Sequence, residues 1–161
     1  MEIVVENYEQ QIRKKAPISN LTFIGASAAG TFAFETSKKF GKVNVILLDS
    51  GTYWENINKL NFENHKKDIH ENLSKYNIDS MNINQLAESS WKTLQILKNF
   101  EPNYHPNFDT KIFVLSIDGT DLGWKKFSRN FEVFQISGDH YNMLEDEENL
   151  TIIFEFILKR F

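Results

Sequence analysis

An α/β fold with a short, mostly parallel sheet is predicted by three features of this sequence. Residues 21–34 (Leu-Thr-Phe-Ile-Gly-Ala-Ser-Ala-Ala-Gly-Thr-Phe-Ala-Phe) have the form of a strand, a sharp turn carrying a serine, and a helix. Val43 to Leu48 is an apolar run broken only by Asn44, as expected of a strand buried on both faces. Helix-like and strand-like segments alternate from the start, and that order implies right-handed crossovers between parallel strands.

The elements follow in order. Residues 2–15 carry Ile3, Val4, Val5, Tyr8 and Ile12 with charges between, an amphipathic helix stopped near Pro17. Leu21 to Ile24 form a strand leading into Gly25. Residues 28–40 read as a helix with Ala29, Phe32, Ala33, Thr36 and Phe40 on overlapping faces, ended by Gly41. Val43 to Leu48 is the second strand. Residues 54–107 change character: they are rich in Asn, Lys and Glu, with spaced Ile, Leu, Phe and Trp. Two to four helices are expected there, among them Glu63–Tyr76 and Asn84–Asn99. Lys111 to Ile117 is a third strand, and Gly119 and Gly123 mark turns. Phe131 to Ile136 is a fourth, and a helix over Leu144–Phe161 closes the chain. One domain over 1–161, with a helical insertion at 54–107, is the simplest organisation.

Composition narrows the function. The chain has 161 residues, 41% of them hydrophobic and fourteen of them Phe, which suffices for one real core. A net charge of −4 argues against nucleic acid as a main partner, because phosphate binding needs clustered Lys and Arg. There is no cysteine, so disulfides and thiolate metal sites are excluded. No apolar run approaches the roughly 20 residues that span a bilayer, so no membrane partner is expected. The first residues carry early acids and do not read as a signal peptide; the expected location is the cytoplasm.

Three residues follow predicted strands: Ser27 the first, Asp49 the second, His140 the fourth. Sites in open parallel sheets form at the carboxyl ends of strands, so these three can converge. A serine hydroxyl needs a base, histidine serves near neutral pH, and a carboxylate fixes the imidazole tautomer. Alone, each residue also has a plain reading. The small-residue turn could cradle phosphate or merely pack, Asp49 could be a turn or cap residue, and His140 an ordinary loop histidine. His65, His70 and His105 read as solvated or capping residues. His65 and His70 are five apart, not the three or four that share a helix face, so no metal site is expected. Asp139 reads as an exposed loop residue, and Glu145 to Glu148 as the acidic first turn of the last helix.

Together these residues resemble the thioesterase domains of nonribosomal peptide and polyketide synthetases, an α/β-hydrolase family. The family's Leu-x-Gly-x-Ser-x-Gly-Gly elbow is matched by Phe23-Ile24-Gly25-Ala26-Ser27-Ala28-Ala29-Gly30, followed by Phe32-Ala33-Phe34-Glu35. A strand ending in Asp-Ser is matched by Leu47-Leu48-Asp49-Ser50. A stretch with a tryptophan (Trp124) and a Gly-x-His-x-x-Met-Leu element, here Gly138 to Leu144, complete the pattern.

The resemblance implies an α/β-hydrolase-like partial sheet of about four strands with residues 54–107 as a helical lid. It implies acyl transfer: an acyl or peptidyl chain on the phosphopantetheine of a carrier protein passes to Ser27, and water or a nucleophile in that chain releases it as acid or ring. His140 would be the base, Asp49 the acid, and the Ala28 N–H one oxyanion donor, with no cofactor of the enzyme's own. Some stand-alone editing relatives carry the acid after the next strand, which makes Asp121 the alternative; the Asp-Ser context favours Asp49. Two departures stand out. Ala29 replaces the usual glycine two places after the serine. Further strands that precede the family's elbow have no counterpart here, and with them goes the second oxyanion donor, whose loss costs about 10²–10³ in turnover in a measured hydrolase. The strand at Leu21–Ile24 would then be an apolar sheet edge. A missing N-terminal portion, a split enzyme and a degenerate homologue each account for this. The alternative function is a catalytically silent module that binds carrier protein or self-associates through that edge.

Overall fold

The computed structural model describes residues 1–15, 21–52, 59–76, 79–98, 100 and 110–160. Pro17, His105, Asn99 and parts of the 54–107 segment lie outside the described residues. The chain divides into two compact units, one over Tyr53–Glu101 and one over Glu2–Thr52 and Pro102–Phe161.

The larger unit is built on a four-stranded sheet, β1 (Thr22–Ala26), β2 (Asn44–Leu48), β3 (Lys111–Ser116) and β4 (Asn130–Gln135). Spatial order equals chain order, and every neighbouring pair is parallel. Among the described residues β1 pairs only with β2, and its Ile24 is exposed.

Alternation of side chains along β2 and β3 sorts the core into two layers. Val45, Leu47, Ile112 and Val114 pack with Phe34 of α2 (Ala28–Ser37) and with Trp124 and Phe127. Ile46, Leu48, Phe113 and Leu115 pack with Ile153 and Phe156 of α5 (Glu147–Arg160) and with Met143. Both faces of these strands are covered, which is why Val43–Leu48 carries no apolar–polar alternation. On the first layer, Phe34 and Trp124 meet edge to face with ring centres 4.8 Å apart. On the second, the Phe156 ring lies between Phe113 at 5.0 Å and Phe134 at 4.8 Å. The terminal helix α1 (Glu2–Lys15) buries Val5, and Arg13 donates to the Lys39 carbonyl at 2.9 Å while lying over the Phe40 ring.

Element identities match the sequence expectation; several bounds move. The helix expected over 28–40 turns into a 3-10 segment at Lys38–Phe40 before Gly41, whose φ is +74°. The last helix starts at Glu147 rather than Leu144, because the Asp146 carboxylate caps the Asn149 N–H at 3.0 Å and the preceding residues are committed to turns.

The smaller unit contains α3 (Phe62–Leu73) and α4 (Ser80–Lys98). Asn61 caps α3 through the Asn64 N–H at 2.9 Å. Helix α4 starts four residues before the expected Asn84, where Asp79 accepts from the Met81 N–H at 2.8 Å. The reading of His65 and His70 as solvated or capping residues leaves out a pairing between helices. Both are half-buried and tie the two helices together: His65 Nε2 lies 3.1 Å from Ser90 Oγ, and His70 Nε2 lies 3.0 Å from Asn84 Oδ1. Their five-residue spacing sets them at successive levels of the helix pair rather than at one point. The His65 ring also packs on Trp91, with centres 5.6 Å apart.

Burial holds His65 below the ordinary histidine value, against a smaller upward pull from Asp68. The folded state therefore favours the neutral ring. Its stabilisation is present above the unfolded value of about 6.5 and declines as pH falls through that value toward the lowered folded one. Amide hydrogen exchange in α3 and α4, corrected for intrinsic rates, should accelerate between about pH 7.5 and about pH 5.5. In His65→Asn this added acceleration should vanish, and its full persistence would assign the effect to another group.

Candidate active site

The site is assembled at the carboxyl rim of the sheet. Ala26, Leu48, Leu115 and Phe134 stand level across the four strands. The ladder continues one step past the strand ends. The Ser27 N–H donates to the Leu48 carbonyl at 3.0 Å, the Asp49 N–H to the Leu115 carbonyl at 2.7 Å, and the Ile136 N–H to the Ser116 carbonyl at 3.0 Å. Ser27 and Asp49 thus leave the sheet at one level on adjacent strands.

Ser27 sits at φ +50° and ψ −130°, a conformation that non-glycine residues rarely adopt and that costs on the order of 1–3 kcal/mol. The strand must reverse into α2 within one residue, and two glycines make room for this. A Cβ on Gly25 would lie 2.6 Å from the Ala29 carbonyl oxygen, and one on Gly30 would lie 2.1 Å from Ser50 Oγ. Ala29, where the resembling family has glycine, is exposed, so its methyl group has open space.

Asp49 also has positive φ, +43°. Its loop is stapled to the segment after β3. The fully buried Trp124 donates its indole N–H to the Ser50 carbonyl, and Thr52 donates its N–H to the Leu122 carbonyl at 3.0 Å. Oδ1 of Asp49 accepts from the Ile117 N–H at 3.4 Å, leaving Oδ2 for a further partner.

That partner is His140. Its Nδ1 lies 2.6 Å from Asp49 Oδ2, and its Nε2 lies 2.8 Å from Ser27 Oγ. An ionised carboxylate only accepts, so the proton belongs on Nδ1 and the Nε2 lone pair faces the serine hydroxyl. The His140 side chain is 41% exposed and that of Asp49 only 15%, so the line of groups runs from half-buried carboxylate to accessible imidazole. This arrangement can draw the hydroxyl proton off Ser27.

The alternative carboxylate, Asp121, is occupied elsewhere. Its two oxygens accept from the Gly123 N–H at 3.2 Å and the Lys125 N–H at 3.3 Å, capping the 3-10 turn at Trp124–Phe127. Ala28, expected as an oxyanion donor, is the first residue of α2, where backbone N–H groups lack intrahelical acceptors. Among the described residues no group of three or more His, Asp or Glu is arranged to hold a metal ion, and no helix is long and apolar enough to cross a membrane.

Two features of the His140 loop were not read from the sequence. Asp139 is the exposed loop residue expected, and its carboxylate is engaged within the turn. Its oxygens accept from the Tyr141 and Asn142 N–H groups and from Asn142 Nδ2, while Asn142 Oδ1 accepts from the Asp139 N–H. The pair forms a reciprocal turn around His140. Asn149, fully buried on α5, bonds the Ser137 backbone. The Asx spacing Asp139-x-x-Asn142 was the legible signal for the first. An Asn in an otherwise apolar helical stripe was the signal for the second.

No family model and no curated protein matches the chain. Solved structures do. The thioesterase domain SrfTE, described for cyclisation of the lipopeptide antibiotic surfactin, superposes with a TM-score of 0.72 at 20% identity, over 95% of this chain and 74% of that one. Human thioesterase 2 gives 0.70 at 16% identity, over 97% and 79%. The type II thioesterase BorB of the borrelidin cluster gives 0.66 at 14%, over 94% and 72%. The fold is that of these thioesterases, an α/β-hydrolase fold.

Gly30→Ala should destabilise the chain by about 1–3 kcal/mol in denaturant titration, because the new methyl group overpacks the elbow. Gly30→Ala combined with Ser50→Gly should recover part of that loss. Equal stabilities for wild type and Gly30→Ala would show that the elbow tolerates a wider approach.

Proposed function

We propose that this chain is a serine thioesterase that releases an acyl or peptidyl group from the phosphopantetheine thioester of a carrier protein, by hydrolysis or by cyclisation. The observation that carries the reading is the continuous line Asp49 Oδ2, His140 Nδ1, His140 Nε2, Ser27 Oγ, with steps of 2.6 and 2.8 Å. The likeness of the fold to solved thioesterases supports a thioester as the acyl substrate in this reading.

In this reading Ser27 Oγ attacks the thioester carbonyl while its proton passes to His140 Nε2. Asp49 stabilises the imidazolium and holds its tautomer. The oxyanion is met by the Ala28 N–H at the positive end of α2. As the C–S bond breaks, His140 returns the proton to the departing pantetheine thiol. Water, or a hydroxyl or amine of the acyl chain itself, then attacks the Ser27 ester. His140 takes that nucleophile's proton and gives it back to Ser27 Oγ as the C–O bond breaks, freeing acid or ring. No cofactor of the enzyme's own enters these steps, and the carrier protein is the partner.

Turnover of an acyl-phosphopantetheine thioester tests the assignment of roles. Ser27→Ala should abolish the acyl-enzyme. Asp49→Asn should slow turnover by about 10⁴-fold, the loss seen when a hydrolase triad aspartate is neutralised. Asp121→Asn should retain turnover within about tenfold, since a cap contributes to stability rather than to the chemical step. Equal losses for the two aspartate variants would refute Asp49 as the acid.

A further inference from the structure

The His140 side chain is 41% exposed and its ring stands edge-on to the neighbouring Tyr141, so the place of its backbone depends on what holds the loop. We infer that Asn149 is the positioning residue of this site: its buried carboxamide clamps the backbone of Ser137 and so sets the place of His140 against Asp49 and Ser27. The inference rests on the reading of these three as the reacting set.

The contacts are specific. Asn149 Oδ1 accepts from both the Ser137 N–H and the Ser137 Oγ–H, each at 3.0 Å, and Nδ2 donates to the Ser137 carbonyl at 2.8 Å. The carboxamide thus satisfies both backbone groups of Ser137, as a neighbouring strand would. From that fixed point the chain turns through Gly138 at φ +90°, where a Cβ would lie 2.5 Å from Asn142 Oδ1. It then enters the Asp139–Asn142 turn, and Met143 is buried in the core. His140 lies between two anchors, the Ser137 clamp and Met143.

Burying an amide costs stability unless its polar atoms find partners, and those partners are here supplied by Ser137 of the loop. Around it, α5 already has Ile153 and Phe156 for its own attachment. The carboxamide is therefore explained by what it does to the loop. Its own helix supplies the second constraint, since the Asp146 carboxylate fixes the Asn149 N–H.

The test reads the His140–Asp49 bond directly. A short bond from imidazole Nδ1–H to carboxylate gives a strongly downfield proton resonance, observable in Ser27→Ala and independent of turnover. Asn149→Leu in that background should lose or broaden the resonance while keeping the fold by circular dichroism. In the otherwise wild-type chain it should slow modification of Ser27 by a fluorophosphonate about 10²-fold, the order expected for a misplaced reacting group. Asn149→Asp, which keeps both acceptor contacts, should weaken the resonance less. Phe156→Leu, which loosens α5 without touching Ser137, should lower the melting temperature and leave the resonance intact. An unchanged resonance and labelling rate in Asn149→Leu would overturn the inference, as would equal loss in Phe156→Leu. If neither Asn149 variant folds, exchange of the Ser137 amide in the wild type decides: protection on the scale of the sheet core supports the clamp, and exchange as fast as an exposed loop refutes it. A chain that shows these resonance effects but turns over no thioester would keep this inference and lose the proposed substrate.

Discussion

Everything at the rim depends on the register of the parallel sheet. Ala26, Leu48, Leu115 and Phe134 are level, and the next residues along are tied to neighbouring strands by ladder bonds from Ser27 and Asp49. A slip by one residue would turn every side chain to the opposite face. It would send Val45 and Leu47 toward α5 and Ile46 and Leu48 toward α2, breaking both core layers at once. The apolar packing that fixes the register thereby also fixes the separation of a hydroxyl and a carboxylate. Core and site are two consequences of one alignment.

Against this rigid base the site holds its strain. Ser27 and Asp49 both carry positive φ without being glycine. Such backbone persists only where the surroundings over-determine it. For Ser27 the determinants are the ladder bond to Leu48 and the close seat of Gly25 against Ala29 and Gly30 of α2. For Asp49 they are the Leu115 bond, the Trp124 indole on the Ser50 carbonyl, and Thr52 on Leu122. Both residues present their functional groups to His140. His140 differs: it is held by turn chemistry and by a contact from α5 rather than by the sheet.

Much of this was legible in the amino-acid order. Small residues around Ser27, an apolar Val43–Leu48 run broken only by Asn44 and the recurrence of strand-like runs carry the fold class, because backbone approach and two-sided burial constrain residue type strongly. The three rim residues were visible for the same reason, as each follows such a run. What was not legible depends on side chains that meet across long sequence separations. The bonds from His65 to Ser90 and from His70 to Asn84 span 25 and 14 positions. A half-buried histidine in a polar helix has the same local sequence as a solvated one, and only the partner helix distinguishes them. Trp124 on the Ser50 carbonyl and Asn149 on Ser137 belong to the same class. Helix starts moved for a local reason: Asp79 and Asp146 offered caps, and a cap overrides the first apolar residue in setting where a helix begins.

The central claim is that the imidazole of His140 activates the hydroxyl of Ser27. Intact-protein mass spectrometry with a fluorophosphonate, mapped to a peptide, addresses it most directly. A single adduct on the Ser27 peptide is expected, with a labelling rate that collapses in His140→Ala. Labelling of Ser27 at an unchanged rate in His140→Ala would contradict it.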